Sequence, residues 1–388
     1  MTVAVVGASM TDFGERDAFV GELLSEAATG CLADAGVTAD DLDALYVSNM
    51  ASGEFEGTTG VVNALAHDIG ALPAYTQRVD QTSASGGAGI FAAWQSVASG
   101  ASDLTLLVGG EKMTHLSTAR SADVIASLTH PVEYAHGVTL PAFGGLAARA
   151  YLETTTDADP ARVREALAAV AVKNHDNARR NPRAQFQKEI DVADVLDSPV
   201  VADPLRLYDY CPVTDGSAAL LFCPESVARE YTDDYVRVAG VAGATDTHVV
   251  HERADPTWMG AVAESAERTL EMADRHIADV DVLELHDMVS LLEPLQLEAL
   301  GYADRGEGWR LAADGETTLS GPLPVNPSGG LKARGHPLGA TGVAQAVELY
   351  RQLRGEAGDR QVDARRGLTC NVGGFGNCVT TSVLEVGP

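Results

Sequence analysis

The stretch VNPSGGLKARGHPLGATG, residues 325–342, decides the fold class of this chain. His336 is followed by a proline and is enclosed by Gly335, Gly339 and Gly342. Glycines at this density let the backbone come close to a ligand. A capping or core histidine is the alternative interpretation, and the glycines make it the weaker one.

The residues after this stretch repeat a pattern from earlier in the chain. LGATGVAQAVELYRQLRG (338–355) followed by GLTCNVGG matches SGGAGIFAAWQSVASG (85–100) followed by LTLLVGG. In the same way, DALYVSN (43–49) lines up with VLELHD (282–287). Amphipathic segments that alternate with short apolar runs indicate an α/β protein. The chain is therefore predicted to consist of duplicated α/β halves.

We place the boundary between the halves near residue 245, which gives a first half of 1–245 and a second of 246–388. The sequence pattern changes over residues of about 115–205, where polar turns and helical patterns replace the strand-like runs. We interpret this segment as an insertion or lid within the first half.

The insertion holds the densest positive charge of the chain, in Arg179, Arg180, Arg183 and Lys188. These residues, with Lys332 of the 325–342 stretch, are candidates to bind the phosphates of a ligand. Ion pairs with neighbouring acids are an equally good interpretation of the cluster.

Composition excludes several classes of function. The 55 acidic residues outnumber the 27 basic ones, for a formal charge of −28, which argues against nucleic-acid binding. The acids are spread along the chain, so we expect a hydrated acidic surface suited to a salt-rich, halophilic cytoplasm. No run of about 18 apolar residues predicts a membrane span, and the first residues show no secretion signal.

Five cysteines lie far apart without metal-ligand spacing, so we predict unpaired thiols, an intracellular location and no structural metal. They are Cys31, Cys211, Cys223, Cys370 and Cys378.

Three further motifs bear polar groups at predicted element ends. In VDQTSASGGAG (79–89), Ser83 precedes a helix, where a developing anion is favoured, although N-capping is the common role of such a serine. In LELHDMVS, His286 and Asp287 end a predicted strand, and helix capping is their alternative role. In LTCNVGGFGN, Gly373 and Gly374 free backbone N–H groups, as any glycine turn does.

Taken together and in this order, the small-residue serine turn, HDMVS, GHPLGATG and NVGGFGN resemble the thiolase superfamily over essentially the whole chain. NPRAQF (181–186), YDYCPVTDGSAALL (208–221) and the His-Asp pair resemble its archaeal and sterol-carrier-linked branch. The resemblance implies a layered αβαβα thiolase fold. It also implies coenzyme A thioesters as substrates and no tightly bound cofactor.

The resemblance also implies residue roles. Ser83 matches the acyl-accepting cysteine, His336 the histidine that activates it, and His286 the residue that polarises the thioester oxygen. The backbone amides of Ser83 and Gly373 match a second oxyanion hole. Further candidates to line the site are Asp287, Met288, Asn371, Gly335 and Gly374.

Two departures from the family stand out. A serine hydroxyl needs a base to become a nucleophile, whereas a cysteine thiolate is available near neutral pH. The acid/base cysteine is replaced by Asn371, and the alternative position in the sterol-carrier branch is Met288. Proton transfer at the substrate α-carbon is then left to His286 or His336.

The resemblance thus implies an acyl-CoA:acetyl-CoA C-acyltransferase, a β-ketothiolase that transfers the acyl group through a Ser83 ester. Ketoacyl synthases share this fold, but their catalytic residues lie in other sequence motifs. The alternative from a different class of protein is a non-catalytic acyl-CoA-binding or scaffold subunit. A homodimer or tetramer is expected, with a small OB-fold, zinc-ribbon partner in the archaeal branch.

Overall fold

A computed structural model describes residues 1–155 and 158–387. Residues 156 and 157 of the predicted insertion, and residue 388 of the second half, lie outside the described residues. The described strands are β1 Val3–Met10, β2 Ala44–Ser48, β3 Tyr75–Val79, β4 Thr105–Glu111, β5 Val200–Ala202, β6 Leu205–Arg206, β7 Gly216–Pro224, β8 Val236–Thr245, β9 Val282–Glu284, β10 Arg366–Gly373 and β11 Cys378–Val386.

The α-helices lie mainly between these strands, as the alternating sequence pattern predicts. They are α1 Val20–Ala35, α2 Ser52–Glu56, α3 Val61–Ile69, α4 Ser85–Ala98, α5 Thr118–Ala126, α6 Pro131–Ala135, α7 Leu140–Thr154, α8 Pro160–Ala178, α9 Val192–Asp197, α10 Gly260–Ala273, α11 Leu292–Leu300, α12 Gly308–Ala313 and α13 Thr341–Leu353. None of the described helices is long and apolar enough to cross a bilayer.

Nine strands hydrogen-bond in the order β3-β2-β4-β7-β1-β8-β11-β10-β9. In the first half, β2 is parallel to β4, β4 is antiparallel to β7, and β7 is antiparallel to β1. In the second half, β9, β10, β11 and β8 repeat this order with the same directions. The halves meet where β1 pairs with β8. The predicted duplication of an α/β unit is confirmed.

The helices α4 and α13 lie between the two halves of the sheet. Their apolar residues share one core with β1, β4, β7 and β8, including Ile90 and Val97 of α4 and Val343 and Val347 of α13. The outer faces are covered by α1 and α3 in the first half and by α10 and α11 in the second. This arrangement is the predicted αβαβα layering.

The predicted insertion contains α5 to α9, and β5 begins inside it at Val200. Leu140 of α7 and Leu167 of α8 belong to the same apolar core as Leu292 and Leu295 of α11. The insertion therefore packs against the second half through buried side chains.

The first turns of α4 and α13 touch backbone to backbone. A Cβ atom on Gly86 would lie 2.6 Å from the backbone nitrogen of Gly342. A Cβ atom on Gly342 would lie 2.4 Å from the backbone nitrogen of Gly87 and 2.3 Å from Oδ1 of Asn371. Since real Cβ atoms do not approach other atoms this closely, only glycine fits at these positions.

We expect Gly342→Ala to lower the free energy of unfolding by about 1–3 kcal/mol, because the added methyl group would overlap the Gly87 backbone and the Asn371 side chain. Gly21→Ala, in a helix with open space around the α-carbon, is the matched control and should be neutral or slightly stabilising. Denaturant unfolding in molar salt measures both. Equal midpoints for the two variants would contradict the close-contact argument.

Candidate functional site

Ser83 lies in a tight turn between β3 and α4 and is 4% exposed. The preceding residue, Thr82, has φ of 54°, a conformation that is uncommon for a non-glycine residue. The backbone nitrogen of Thr82 donates to Oδ1 of Asp80 at 2.9 Å, and Oγ of Ser85 donates to the Thr82 carbonyl at 2.5 Å. These bonds hold the turn that sets Ser83 before the helix.

His336 lies before the first turn of α13, and its backbone nitrogen donates to Oγ1 of Thr214 at 3.0 Å. Its Nδ1 is 2.7 Å from Oγ1 of Thr341. The Thr341 hydroxyl donates its proton to the carbonyl of Pro337 at 2.9 Å, so it accepts a proton from Nδ1. The lone pair of His336 is therefore on Nε2, where it can serve as a base.

His286 lies two residues beyond the end of β9, slightly past the strand end that the sequence predicted. Its backbone nitrogen donates to Oε1 of Gln296 at 3.1 Å, and Nε2 of Gln296 donates back to its carbonyl at 3.1 Å. The ring is perpendicular to the His336 ring, with 5.0 Å between centroids. The structure thus brings together the two histidines singled out in the sequence.

Both imidazoles are neutral at physiological pH. Burial, with a smaller contribution from Arg334, lowers the pKa of His336 to about 3. Burial, followed by His336 and Arg334, holds the pKa of His286 well below its ordinary value. The Arg334 guanidinium is itself buried and lies 3.2 Å from the Glu284 carboxylate.

Ser83 and His336 line one cavity of about 260 Å³. Its other walls are mostly apolar and come from the insertion, from the segments that flank it, and from the loops after His286 and His336. They include Met113, Ile125, Leu128, Leu140, Met288, Val289 and Leu338. An apolar chain attached near Ser83 would find few unpaired polar groups in this cavity.

The backbone beside the second predicted oxyanion hole contacts the Ser83 side chain. Oγ of Ser83 donates to the carbonyl oxygen of Val372 at 3.2 Å. The Val372–Gly373 peptide is trans, so the amide of Gly373 points away from that oxygen. The Ser83 hydroxyl is thus held by a backbone carbonyl, and the oxyanion hole of the Ser83 and Gly373 amides stays a prediction.

Three other predicted site residues, Asp287, Gly335 and Gly374, lie outside the wall of this cavity. Asp287 is buried and accepts from the backbone nitrogen of Leu331 at 2.7 Å, which fixes the π-helical turn Gly330–Arg334 before His336. Gly335 packs closely against Thr214, and Gly374 lies in the turn between β10 and β11. These three residues shape the backbone around the site and do not line the Ser83 cavity.

Of the candidate phosphate-binding residues, the three arginines form the ion pairs of the alternative interpretation. Arg179 pairs with Glu189 at 2.8 Å, Arg180 with Asp176 at 2.6 Å, and Arg183 with Asp12 at 3.2 Å. Nζ of Lys188 is 3.4 Å from the hydroxyl of Tyr208. Lys332 is buried, and its Nζ donates to the carbonyl of Tyr210 at 2.7 Å.

Sequence reasoning missed three groups that hold the site. They are Thr341, which contacts His336, Gln296, which contacts the His286 backbone, and Glu111. The buried Glu111 accepts from the backbone nitrogen of Gly339 at 3.1 Å and so supports the loop after His336. Burial raises the pKa of Glu111 to about 7. Thr341 had a visible signal, because it is the hydroxyl residue of the GATG segment that follows His336.

Two family models match this chain. The model of the thiolase N-terminal domain matches residues 3–226, and that of the thiolase C-terminal domain matches residues 242–386. The chain belongs to the thiolase family.

Curated relatives extend over the same length. The chain is 44% identical over 385 residues to "Acetyl-CoA acetyltransferase" of Methanothermobacter thermautotrophicus, covering 99% of each chain. It is 37% identical to the protein of the same name from Methanocaldococcus jannaschii, covering 99% of this chain and 98% of that protein. It is also 32% identical to "Sterol carrier protein 2" of Gallus gallus, covering 99% of this chain and 72% of that protein. Similarity to archaeal and sterol-carrier thiolases is thereby confirmed.

A solved structure supports the same fold. The chain superposes on "Ltp2-ChsH2(DUF35) aldolase" with a TM-score of 0.85 at 23% identity, covering 99% of this chain and 98% of that one. At this identity the likeness speaks for the thiolase fold alone.

We expect His286 and His336 to show no protonation step between pH 7.5 and 5, since a lowered pKa keeps the neutral form present at lower pH. NMR titration of the ring signals, assigned with His286→Gln and His336→Gln variants, measures this. A midpoint near pH 6.5 for either ring would be incompatible with the buried, desolvated pair.

Proposed function

We propose that this protein is an acyl-CoA:acetyl-CoA C-acyltransferase, a β-ketothiolase whose acyl carrier is Ser83. Full-length identity of 44% to an archaeal acetyl-CoA acetyltransferase supports the reaction. The observation that carries the residue assignment is the shared cavity of Ser83 and His336, with the His336 lone pair on Nε2. His286 supplies a second imidazole beside it.

In the first half-reaction, Ser83 Oγ attacks the thioester carbonyl carbon of an acyl-CoA. His336 Nε2 takes the hydroxyl proton and passes it to the leaving coenzyme A sulfur, so the products are a Ser83 ester and free coenzyme A. The hydroxyl depends on this base because a serine, unlike a cysteine, has no anionic form near neutral pH. His286 stabilises the oxygen on which negative charge develops.

In the second half-reaction, acetyl-CoA loses an α-carbon proton to His336. The resulting carbanion attacks the ester carbonyl, the carbon–oxygen bond to Ser83 breaks, and Ser83 Oγ recovers the proton from His336. The product is a β-ketoacyl-CoA, and the reverse sequence is thiolysis. The apolar cavity walls suit the hydrocarbon part of the acyl group.

The assembly is part of the proposal. We expect a homodimer or tetramer and a small OB-fold, zinc-ribbon partner, supported by the DUF35 component in the name of the similar aldolase. The five cysteines form no disulfide, which supports a reducing, cytoplasmic setting. The charge of −28 supports work in concentrated salt. Lys188 and the three insertion arginines remain proposed contacts for coenzyme A phosphates.

Coenzyme A release from acetyl-CoA, and thiolysis of acetoacetyl-CoA, should occur in molar salt and be abolished by Ser83→Ala. Ser83→Cys should retain turnover, because a thiol is a better nucleophile. Ser99→Ala, at the exposed end of the same helix, is the control and should keep full activity. Binding of acetyl-CoA without turnover under every condition, with and without the partner, would instead indicate a scaffold subunit.

Thr341→Val should reduce kcat by roughly 10- to 100-fold, because valine cannot accept the Nδ1 proton and the Nε2 lone pair is no longer fixed. Thr341→Ser keeps the hydroxyl and should keep most of the activity. Steady-state kinetics at saturating acetoacetyl-CoA compare the two. If both variants lose the same factor, the hydroxyl does not orient His336.

A further inference from the structure

The side chain of Asn371 joins three parts of the site. It is 1% exposed on β10. Its Oδ1 accepts from the backbone nitrogen of Gly87 at 2.8 Å, and its Nδ2 donates to the carbonyl of Ser83 at 3.2 Å. The same Nδ2 lies 3.1 Å from Nδ1 of His286.

These contacts fix the orientation of the amide. A backbone N–H can only donate, so the atom of Asn371 that faces Gly87 is the oxygen. A carbonyl can only accept, so the atom that faces Ser83 is the nitrogen. Both contacts require the same rotamer, and the NH₂ group is therefore the one directed at His286.

An amide NH₂ group donates hydrogen bonds and does not accept them. Nδ1 of His286 is therefore the acceptor, and the ring proton of the neutral imidazole is on Nε2. That Nε2 is buried and has no hydrogen-bond partner among the described residues. An unpaired buried donor beside His336 is a costly arrangement unless a ligand oxygen completes it.

We propose that Asn371 is a positioning residue that holds His286 as an Nε2–H donor for the substrate carbonyl oxygen. This inference rests on the proposed thiolase function. It leaves His336 as the imidazole with a free lone pair, so His336 accepts the proton in both half-reactions. Asn371 itself transfers no proton, since an amide does not titrate near neutral pH.

A merely structural role for Asn371 would be to tie β10 to the first turn of α4 through Gly87. Loss of that role would lower stability or activity by a factor that does not vary with pH. The proposed role is distinguished by its effect on the protonation of one ring.

Asn371→Asp tests this difference, because a carboxylate keeps the Gly87 contact but forces Nδ1 of His286 to donate. The groups that act on this ring are His336 and Arg334, with Arg334 paired to Glu284. The new carboxylate raises the pKa of His286. Below that pKa both ring nitrogens carry protons and the Nε2–H donor survives; above it the remaining proton stays on Nδ1.

The kcat of Asn371→Asp should therefore fall as pH rises through the new pKa, by about 10²–10³-fold in all, the usual cost of losing one oxyanion donor. The wild-type protein should lack this step. Asn181→Asp is the matched control: Asn181 is also buried, accepts one backbone N–H and donates to one carbonyl. An unchanged profile shape in Asn371→Asp, at any level of activity, would overturn the proposal.

A second measurement needs neither turnover nor a stable variant. In wild-type protein with ¹⁵N-labelled histidine, the ring nitrogen shifts distinguish an Nε2–H from an Nδ1–H tautomer. We expect His286 as Nε2–H and His336 as Nδ1–H. An Nδ1–H tautomer of His286 refutes the role of Asn371 even if the protein is an active thiolase. The expected tautomers in an inactive protein would support Asn371 while refuting the proposed function.

Discussion

The site depends on one steric constraint, the backbone contact between the first turns of α4 and α13. Gly86, Gly87 and Gly342 leave no room for a Cβ atom at this point. The contact brings the loop of Ser83 and the loop of His336, which are about 250 residues apart in sequence, to one cavity. The central helices of the two halves are thus held at the distance that the chemistry needs, and the cores on either side pack around them.

Two histidines in one environment receive opposite roles from their hydrogen-bond partners. Both are desolvated and neutral, so burial does not distinguish them. The Thr341 hydroxyl donates its proton to the Pro337 carbonyl and accepts the Nδ1 proton of His336, so the lone pair of His336 is on Nε2. The Asn371 oxygen accepts from the Gly87 backbone N–H, so the Asn371 NH₂ group faces Nδ1 of His286 and the ring proton of His286 is on Nε2. In each case the deciding fact is a bond made by the partner to the backbone.

The duplication could be predicted from the repetition of motifs along the sequence, and the layering from the resemblance to thiolases. Ser83, His286 and His336 were singled out from local motifs, and the structure places Ser83 and the His286 ring each near His336. The sequence left open which histidine transfers protons, since a tautomer depends on contacts between residues as distant as 286 and 371. It also suggested the Gly373 amide as a donor. That role stays a prediction, and the structure adds a contact between the Ser83 hydroxyl and the Val372 carbonyl that the sequence does not show. The glycines around His336 lie close to other parts of this protein's own backbone and side chains. A single sequence does not reveal these contacts.

The position of β1 in the sheet has a consequence for how the chain is made. β1 precedes the other described strands in the chain, yet its neighbours are β7 and β8, which begin at Gly216 and Val236. At ordinary rates of synthesis, roughly 10–40 s separate β1 from its first partner strand. During this interval an apolar strand with two open edges is exposed, a recognised aggregation hazard. The topology thus leaves β1 open to aggregation during translation until β7 is made, whatever chemistry the finished site performs.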